Sequence, residues 1–161
     1  MTRKRWRSVF EFNRDKIKIR SGVIMLIEAY LFFEGRCDEA IAFYQRALDA
    51  EVTTLMRYED NPEAPVPGKL PPGAEKKVMH ASLRIGSTTV MLSDGRCTGQ
   101  AVFQGFALTI VPPNLARADD IFAALSVGGQ VQMPLAKTFW SPRFGMVTDQ
   151  FGVLWMINCM S

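Results

Sequence analysis

The order of predicted secondary-structure elements repeats once along the chain, and this repeat constrains the fold more than any other feature. In each half, an apolar run typical of a strand precedes an amphipathic helix and three further strands. Neither half is large enough to bury its own sheet face, so the two must pack together. The sequence therefore predicts an α+β fold of two βαβββ modules, at about 25–98 and 103–161.

The first half shows this pattern in its hydrophobic spacing. Residues 26–33 are rich in strand formers, and apolar residues three and four apart predict a helix over 37–49. Five prolines and two glycines between 61 and 73 predict a loop. The remaining predicted strands of this half are 51–58, 78–85 and 88–93.

The second half repeats the pattern after Gly105. Pro112 and Pro113 end a predicted strand over 106–111, and Asn114 is a favourable first residue for the helix that follows. Three more strands are predicted at 131–135, 144–148 and 153–158. A ferredoxin-like sandwich has two helices and four strands and cannot hold the roughly four additional strands.

Composition limits the setting of the protein. No window approaches the roughly 20 apolar residues of a membrane span, so no membrane partner is expected. Cys37, Cys97 and Cys159 form neither an even disulfide framework nor a CxxC pair, which favours a reduced, cytoplasmic compartment. His80 is the single histidine, which excludes mechanisms that need two imidazoles.

The basic charge is concentrated at the N-terminus. Residues 1–24 carry eight basic and two acidic side chains, whereas 25–161 carry 11 basic and 14 acidic ones. The domain itself therefore gives no reason to expect a nucleic-acid partner. We expect residues 1–24 to be an upstream extension outside the domain, with Met25 as the natural start. A disordered segment or a partner-binding arm is the alternative.

Three segments carry a resemblance to a known family: YLFFEGRCDEAIAFYQRAL (30–48), KVMHASLRIGSTTVMLSD (77–94) and KTFWSPRFGMVTDQFGVLWMIN (137–158). Together with the paired βαβββ order, they resemble the PhnB-like branch of the vicinal oxygen chelate superfamily, which includes glyoxalase I, fosfomycin-resistance proteins and extradiol dioxygenases. The resemblance covers about 25–161. It implies a glyoxalase-like fold in which two modules curve their sheets around a cup, commonly in a homodimer.

Some members of this branch are called 3-demethylubiquinone-9 3-methyltransferase. The sequence gives that name no independent support, because no glycine-rich loop joins a parallel strand to a helix as cofactor-binding methyltransferase folds require.

The resemblance also implies where a metal would bind. Metal-dependent members place His and Glu ligands on the first and last strands of each module. A catalytic site needs about three such ligands, and here His80 and Asp94 could supply two, unless Glu34 or a dimer partner joins them. We therefore expect no cofactor beyond a weakly held divalent metal. The strand positions in question carry Tyr30, Phe32, Phe106, Leu108, Met91, Ser93, Trp155 and Ile157.

His80 is the candidate catalytic residue. It lies beside Ser82 on the less apolar face of a predicted strand, where it could act as a general base near neutral pH or bind an anionic ligand. The alternative is a partly buried histidine that is hydrogen-bonded to backbone.

The other candidate ligand-binding residues are aromatic or charged. Trp140 lies close to Arg143, and an aromatic wall beside a cation could hold a planar or anionic ligand. Core packing is the alternative for Trp155, and a tight turn for Asp94. Cys37 begins a helix, but no second histidine could activate it. The candidate ligand-binding set is Ser82, Asp94, Trp140, Arg143, Phe144 and Trp155.

Two functions remain open. One is a protein that binds a small polar or aromatic molecule in the cup without a tightly bound metal. The other is an enzyme with lyase, isomerase or transferase chemistry that uses His80 as a base or weak metal ligand.

Overall fold

The computed structural model describes residues 26–61 and 70–160, so the predicted N-terminal extension lies outside the described residues. Both predicted modules are present, which confirms the α+β fold class. The first contains β1 (Ala29–Phe32), α1 (Cys37–Leu48), β2 (Glu51–Arg57), β3 (Val78–Ile85) and β4 (Thr88–Ser93). The second contains β5 (Leu108–Ile110), α2 (Leu115–Ser126), β6 (Gln130–Ala136), β7 (Arg143–Thr148) and β8 (Leu154–Cys159).

The strands form two four-stranded mixed sheets, in the orders β1-β4-β3-β2 and β5-β8-β7-β6. In both, the first strand of the module runs parallel to the last, and the other neighbours are antiparallel. Within 26–61 and 70–160, no strand of one sheet pairs with a strand of the other. The modules are therefore joined by side-chain packing.

Each helix covers one face of its own sheet. Helix α1 buries the apolar residues that its periodicity predicted, and α1 also contacts α2, so one hydrophobic core spans both modules. At Gly145, a Cβ atom would lie 2.8 Å from the Phe122 ring and 2.9 Å from the Leu135 Cα. Glycine thus allows strands and helix of the second module to pack closely.

The opposite face of each sheet is left open. On β3, Ala81 and Leu83 are fully buried beneath α1, whereas His80 and Ser82 alternate with them and point to the other side. Strand β2 lies at the edge of the first sheet and is exposed over nearly its whole length. The fold therefore separates a packed helix-covered face from an open face in each module.

The first strand of each module is shorter than predicted. Residues 26–33 and 106–111 give the four-residue β1 and the three-residue β5. Both are edge strands with one neighbour, and the parallel pairing covers four residues of β1 and three of β5, although the apolar run continues.

Candidate functional site

The open face of the first sheet brings together four side chains from two strands, which we call the open-face cluster: Tyr30, Phe32, His80 and Ser82. The Tyr30 hydroxyl lies 3.1 Å from His80 Nδ1, and His80 Nε2 lies 3.2 Å from Ser82 Oγ. The Tyr30 ring is 5.7 Å from the imidazole and 5.0 Å from the Phe32 ring, between centroids. Strand pairing brings Tyr30 to His80 across 50 residues of sequence.

The two hydrogen bonds of His80 fix what the cluster can offer a ligand. In a neutral imidazole, one nitrogen accepts and the other donates. If Tyr30 donates to Nδ1, then Nε2–H donates to Ser82, whose hydroxyl hydrogen is left available. If Ser82 donates to Nε2, then Tyr30 keeps its hydrogen. In both tautomers the cluster presents one hydroxyl donor beside an aromatic wall.

The residues of the open faces do not fit a divalent metal. In the first sheet, the open positions of β1 and β4 carry Tyr30, Phe32, Met91 and Ser93. In the second, Trp155 and Ile157 face the helix and are buried, so the open positions of β8 are Leu154, Met156 and Asn158. Nowhere in the described part of the chain do three His, Cys, Asp or Glu residues form a group able to hold a metal ion.

Asp94 lies away from the expected mouth of the cup. Its side chain is 0% exposed and accepts hydrogen bonds from the backbone N–H groups of Gly35 (2.9 Å), Cys37 (2.7 Å) and Val78 (2.8 Å). The carboxylate therefore provides the acceptor for the backbone N–H groups at the beginning of α1 and links this helix to β3. Arg36, at the helix N-cap, makes no side-chain capping hydrogen bond, so Asp94 takes the place of a local capping residue.

Trp155 is likewise placed in the core. It is 3% exposed, and its Nε1–H donates to Asp149 Oδ2 at 2.8 Å. The Tyr44 hydroxyl donates to the same oxygen at 2.7 Å, while Oδ1 accepts from the backbone N–H groups of Phe151 and Val153. Burial, reinforced by the Asp149 charge, raises the pKa of Tyr44 well above its usual value. Asp149 thus connects α1 to the second module.

The structure brings together Trp140 and Phe144 but not Arg143. The two aromatic rings lie 5.5 Å apart, and Phe144 is on the open face of the second sheet opposite Asn158. Arg143 Nε instead donates to Asp119 of α2 at 3.0 Å, on the helix-covered side. Sequence reasoning missed Asn158, which is 8% exposed and whose Oδ1 has no hydrogen-bond partner among the described residues.

Cys37 and Cys97 are not activated nucleophiles. Burial, then the Asp94 charge, raises the pKa of the Cys37 thiol far above its usual value, despite its position at the start of α1. Burial also raises the pKa of Cys97.

Over the described residues, no helix is long and apolar enough to cross a membrane.

Sequence and structure comparisons agree with this fold. Residues 26–157 match the Glyoxalase/Bleomycin resistance protein/Dioxygenase superfamily. Protein YjdN of Escherichia coli is 35% identical over 139 residues, which cover 83% of this chain and 95% of YjdN. The crystal structure of PA1353 from Pseudomonas aeruginosa has a TM-score of 0.74 at 38% identity, covering 85% of this chain and 98% of PA1353.

A PhnB protein from Bacillus cereus has a TM-score of 0.69 at 28% identity, with 84% of this chain and 99% of that protein covered. These similarities confirm the PhnB-like resemblance of the three sequence segments. The chain belongs to the glyoxalase/bleomycin resistance protein/dioxygenase superfamily, also called the vicinal oxygen chelate superfamily.

Proposed function

We propose that the protein binds a small polar or aromatic molecule at the open-face cluster, without a tightly bound metal ion. The observation that carries this proposal is the hydrogen-bonded set of Tyr30, His80 and Ser82 beside the Phe32 ring. A ligand there can accept a hydrogen bond from one hydroxyl and place an apolar surface against the ring. Small-molecule sites commonly combine a few fixed polar groups with aromatic walls.

A second copy of the chain completes the site in this proposal. Both open faces expose apolar side chains, and the edge strand β2 adds Val52, Leu55 and Met56. Covering such surface favours a homodimer. The family resemblance supports the same assembly. Phe144 on the second open face and Trp140, whose ring contacts it, can then form an aromatic wall beside the ligand that the partner binds.

A cytoplasmic location belongs to the same proposal. None of the three cysteines forms a disulfide, and two of them are fully buried. A reduced compartment suits such thiols.

A second candidate function is proton transfer. It is favoured by the two hydroxyl groups, of Tyr30 and Ser82, that are hydrogen-bonded to the ring nitrogens of His80. Because both ring nitrogens are engaged, His80 would take a substrate proton through Tyr30 or Ser82. Catalysis and binding make different demands on Tyr30: a relay through Tyr30 stops without its hydroxyl, whereas binding in Tyr30→Phe is weakened by one hydrogen bond.

Native mass spectrometry of the full chain, purified gently from a cell extract, tests the proposed function. We expect a dimer that carries a small organic molecule and no stoichiometric metal. His80→Ala removes the centre of the hydrogen-bonded set and should abolish the bound mass. Tyr30→Phe should raise the dissociation constant about fivefold if its hydrogen bond is worth about 1 kcal/mol.

Tyr58→Phe is the matched control. It deletes a hydroxyl that donates to the Gly95 carbonyl oxygen at 2.5 Å and makes no hydrogen bond to Tyr30, His80 or Ser82. Burial raises the pKa of Tyr58 to about 12, so this hydroxyl stays protonated in the test. Equal retention of the ligand in the His80→Ala, Tyr30→Phe and Tyr58→Phe variants would contradict the proposed site.

The purified protein should hold no stoichiometric transition metal. In the described part of the chain, His80 belongs to no group of three His, Cys, Asp or Glu residues able to hold a metal ion, so added zinc or nickel should raise the melting temperature by no more than about one degree. Elemental analysis and thermal melts of the wild type and His80→Ala check this. About one metal per chain, lost in His80→Ala, would overturn it and favour a metalloenzyme.

A further inference from the structure

A cavity of about 380 Å³ lies at the junction of the two modules. None of the residues of the open-face cluster lines it. Its floor is aromatic, and its rim is the segment that leads from the first module to the second. The lining residues are Phe33, Arg36, Gly99, Gln100, Ala101, Val102 and Phe151.

The floor is formed by two core side chains, Phe33 and Phe151, of which Phe151 keeps the larger exposed fraction, 7% against 1%. The Phe33 and Phe151 rings meet edge to face, with centroids 5.7 Å apart and planes at 88°. Both side chains are buried in the shared core. The Phe103 ring packs beside them, with its centroid 5.4 Å from that of Phe33. Rings held in this way contact another ring in the offset or edge-to-face arrangements that aromatic pairs prefer.

A fixed cation stands over this floor. The Arg36 guanidinium carbon lies 4.7 Å from the centroid of the Phe151 ring. Its Nε and Nη2 atoms both donate to one carboxylate oxygen of Glu39, at 3.1 and 2.9 Å. The guanidinium is therefore oriented before any ligand arrives, and its Nη1 makes no hydrogen bond to the described chain.

The rim adds backbone groups without partners. The Gly99 N–H donates to the Glu34 carbonyl oxygen at 2.9 Å, which fixes the start of the segment. Beyond it, the backbone groups of Gln100, Ala101 and Val102 form no hydrogen bonds with the described residues. Backbone N–H groups of this kind are suitable donors to a carboxylate.

We propose that this cavity binds a small aromatic carboxylate. The ring packs on the exposed part of Phe151 and against Ala101 and Val102, and the carboxylate accepts hydrogen bonds from Arg36 and the rim. The volume falls within the range of about 300–1,000 Å³ that is usual for small-molecule pockets. Glu39 competes for the same guanidinium, so it sets the affinity: removing its charge strengthens binding, whereas removing the Arg36 charge weakens it.

Benzoate is the probe, titrated into the full chain and followed by ¹H–¹⁵N correlation spectra. We expect saturable shifts at the Gly99, Ala101 and Val102 amides. Arg36→Gln should weaken binding about tenfold, the value of one charge-assisted hydrogen bond, and Glu39→Gln should strengthen it. Arg46→Gln is the matched control, because it removes an equal charge from the exposed surface of the same helix.

Two further probes separate the contributions. Acetate carries the charge without the ring, and benzyl alcohol carries the ring without the charge, so both should bind much more weakly than benzoate. Equal effects of Arg36→Gln and Arg46→Gln would overturn the proposal. Benzoate shifts confined to the His80 and Ser82 amides would also overturn it, by placing aromatic binding at the open-face cluster.

Discussion

Asp149→Ala should lower the free energy of unfolding by about 3–5 kcal/mol, the loss expected when a buried charged group with several partners is removed. The carboxylate is 3% exposed and accepts four hydrogen bonds. Its removal leaves the Tyr44 hydroxyl, the Trp155 indole N–H and two backbone N–H groups without an acceptor. Urea unfolding followed by tryptophan fluorescence measures the change.

Two variants show how this effect is distributed. Tyr44→Phe removes one of the four donors and should cost about 1–2 kcal/mol. Asp119→Ala removes an acidic side chain that pairs with Arg143 at 3.0 Å and is 52% exposed. This exposed ion pair should contribute less than about 1 kcal/mol. If Asp149→Ala destabilised the protein no more than Asp119→Ala, the buried carboxylate would not be the link between α1 and the second module.

Asp94→Ala should lower the free energy of unfolding by about 2–4 kcal/mol, because three backbone N–H groups, two of them buried, lose a charged acceptor. The loss is centred on the first turn of α1. Urea unfolding gives the total effect, and hydrogen exchange locates it: the Gly35 and Cys37 amides should exchange faster in the variant.

Asp38→Ala is the comparison for this variant. Asp38 also lies in the first turn of α1, but its carboxylate is half exposed and pairs with Arg57. Its loss should leave the protection of the Cys37 amide nearly unchanged. Similar exchange rates in both variants would show that Asp94 does not hold the start of the helix.

Strand boundaries followed from the sequence where polar and apolar residues alternate. The strands predicted at 78–85 and 88–93 match β3 and β4, and the alternation around His80 identified its open face correctly. Strand β8 gave no such signal, because Leu154 and Met156 on one face are as apolar as Trp155 and Ile157 on the other. Periodicity shows that a strand has two faces, but hydropathy must differ between them to show which is covered.

The contacts of the candidate site depend on pairs distant in sequence. Local patterns identified His80 and Ser82, two residues apart, but not Tyr30, because only the pairing of β1 with β4 and of β4 with β3 brings it to the imidazole. A tight turn was the alternative interpretation of Asp94 for the same reason. Asp94 accepts hydrogen bonds from groups more than 50 residues away, and turn propensity carries no information about them.

The division of each sheet into a helix-covered face and an open face separates two kinds of selection on the sequence. Substitutions beneath α1 or α2 must preserve the volume of a core shared by both modules. Substitutions on the open faces leave that core unchanged, so a repeated module can acquire a new binding specificity there while its fold is preserved. The two halves already differ in this way: one presents a tyrosine, a histidine and a serine, the other methionine, phenylalanine and tryptophan.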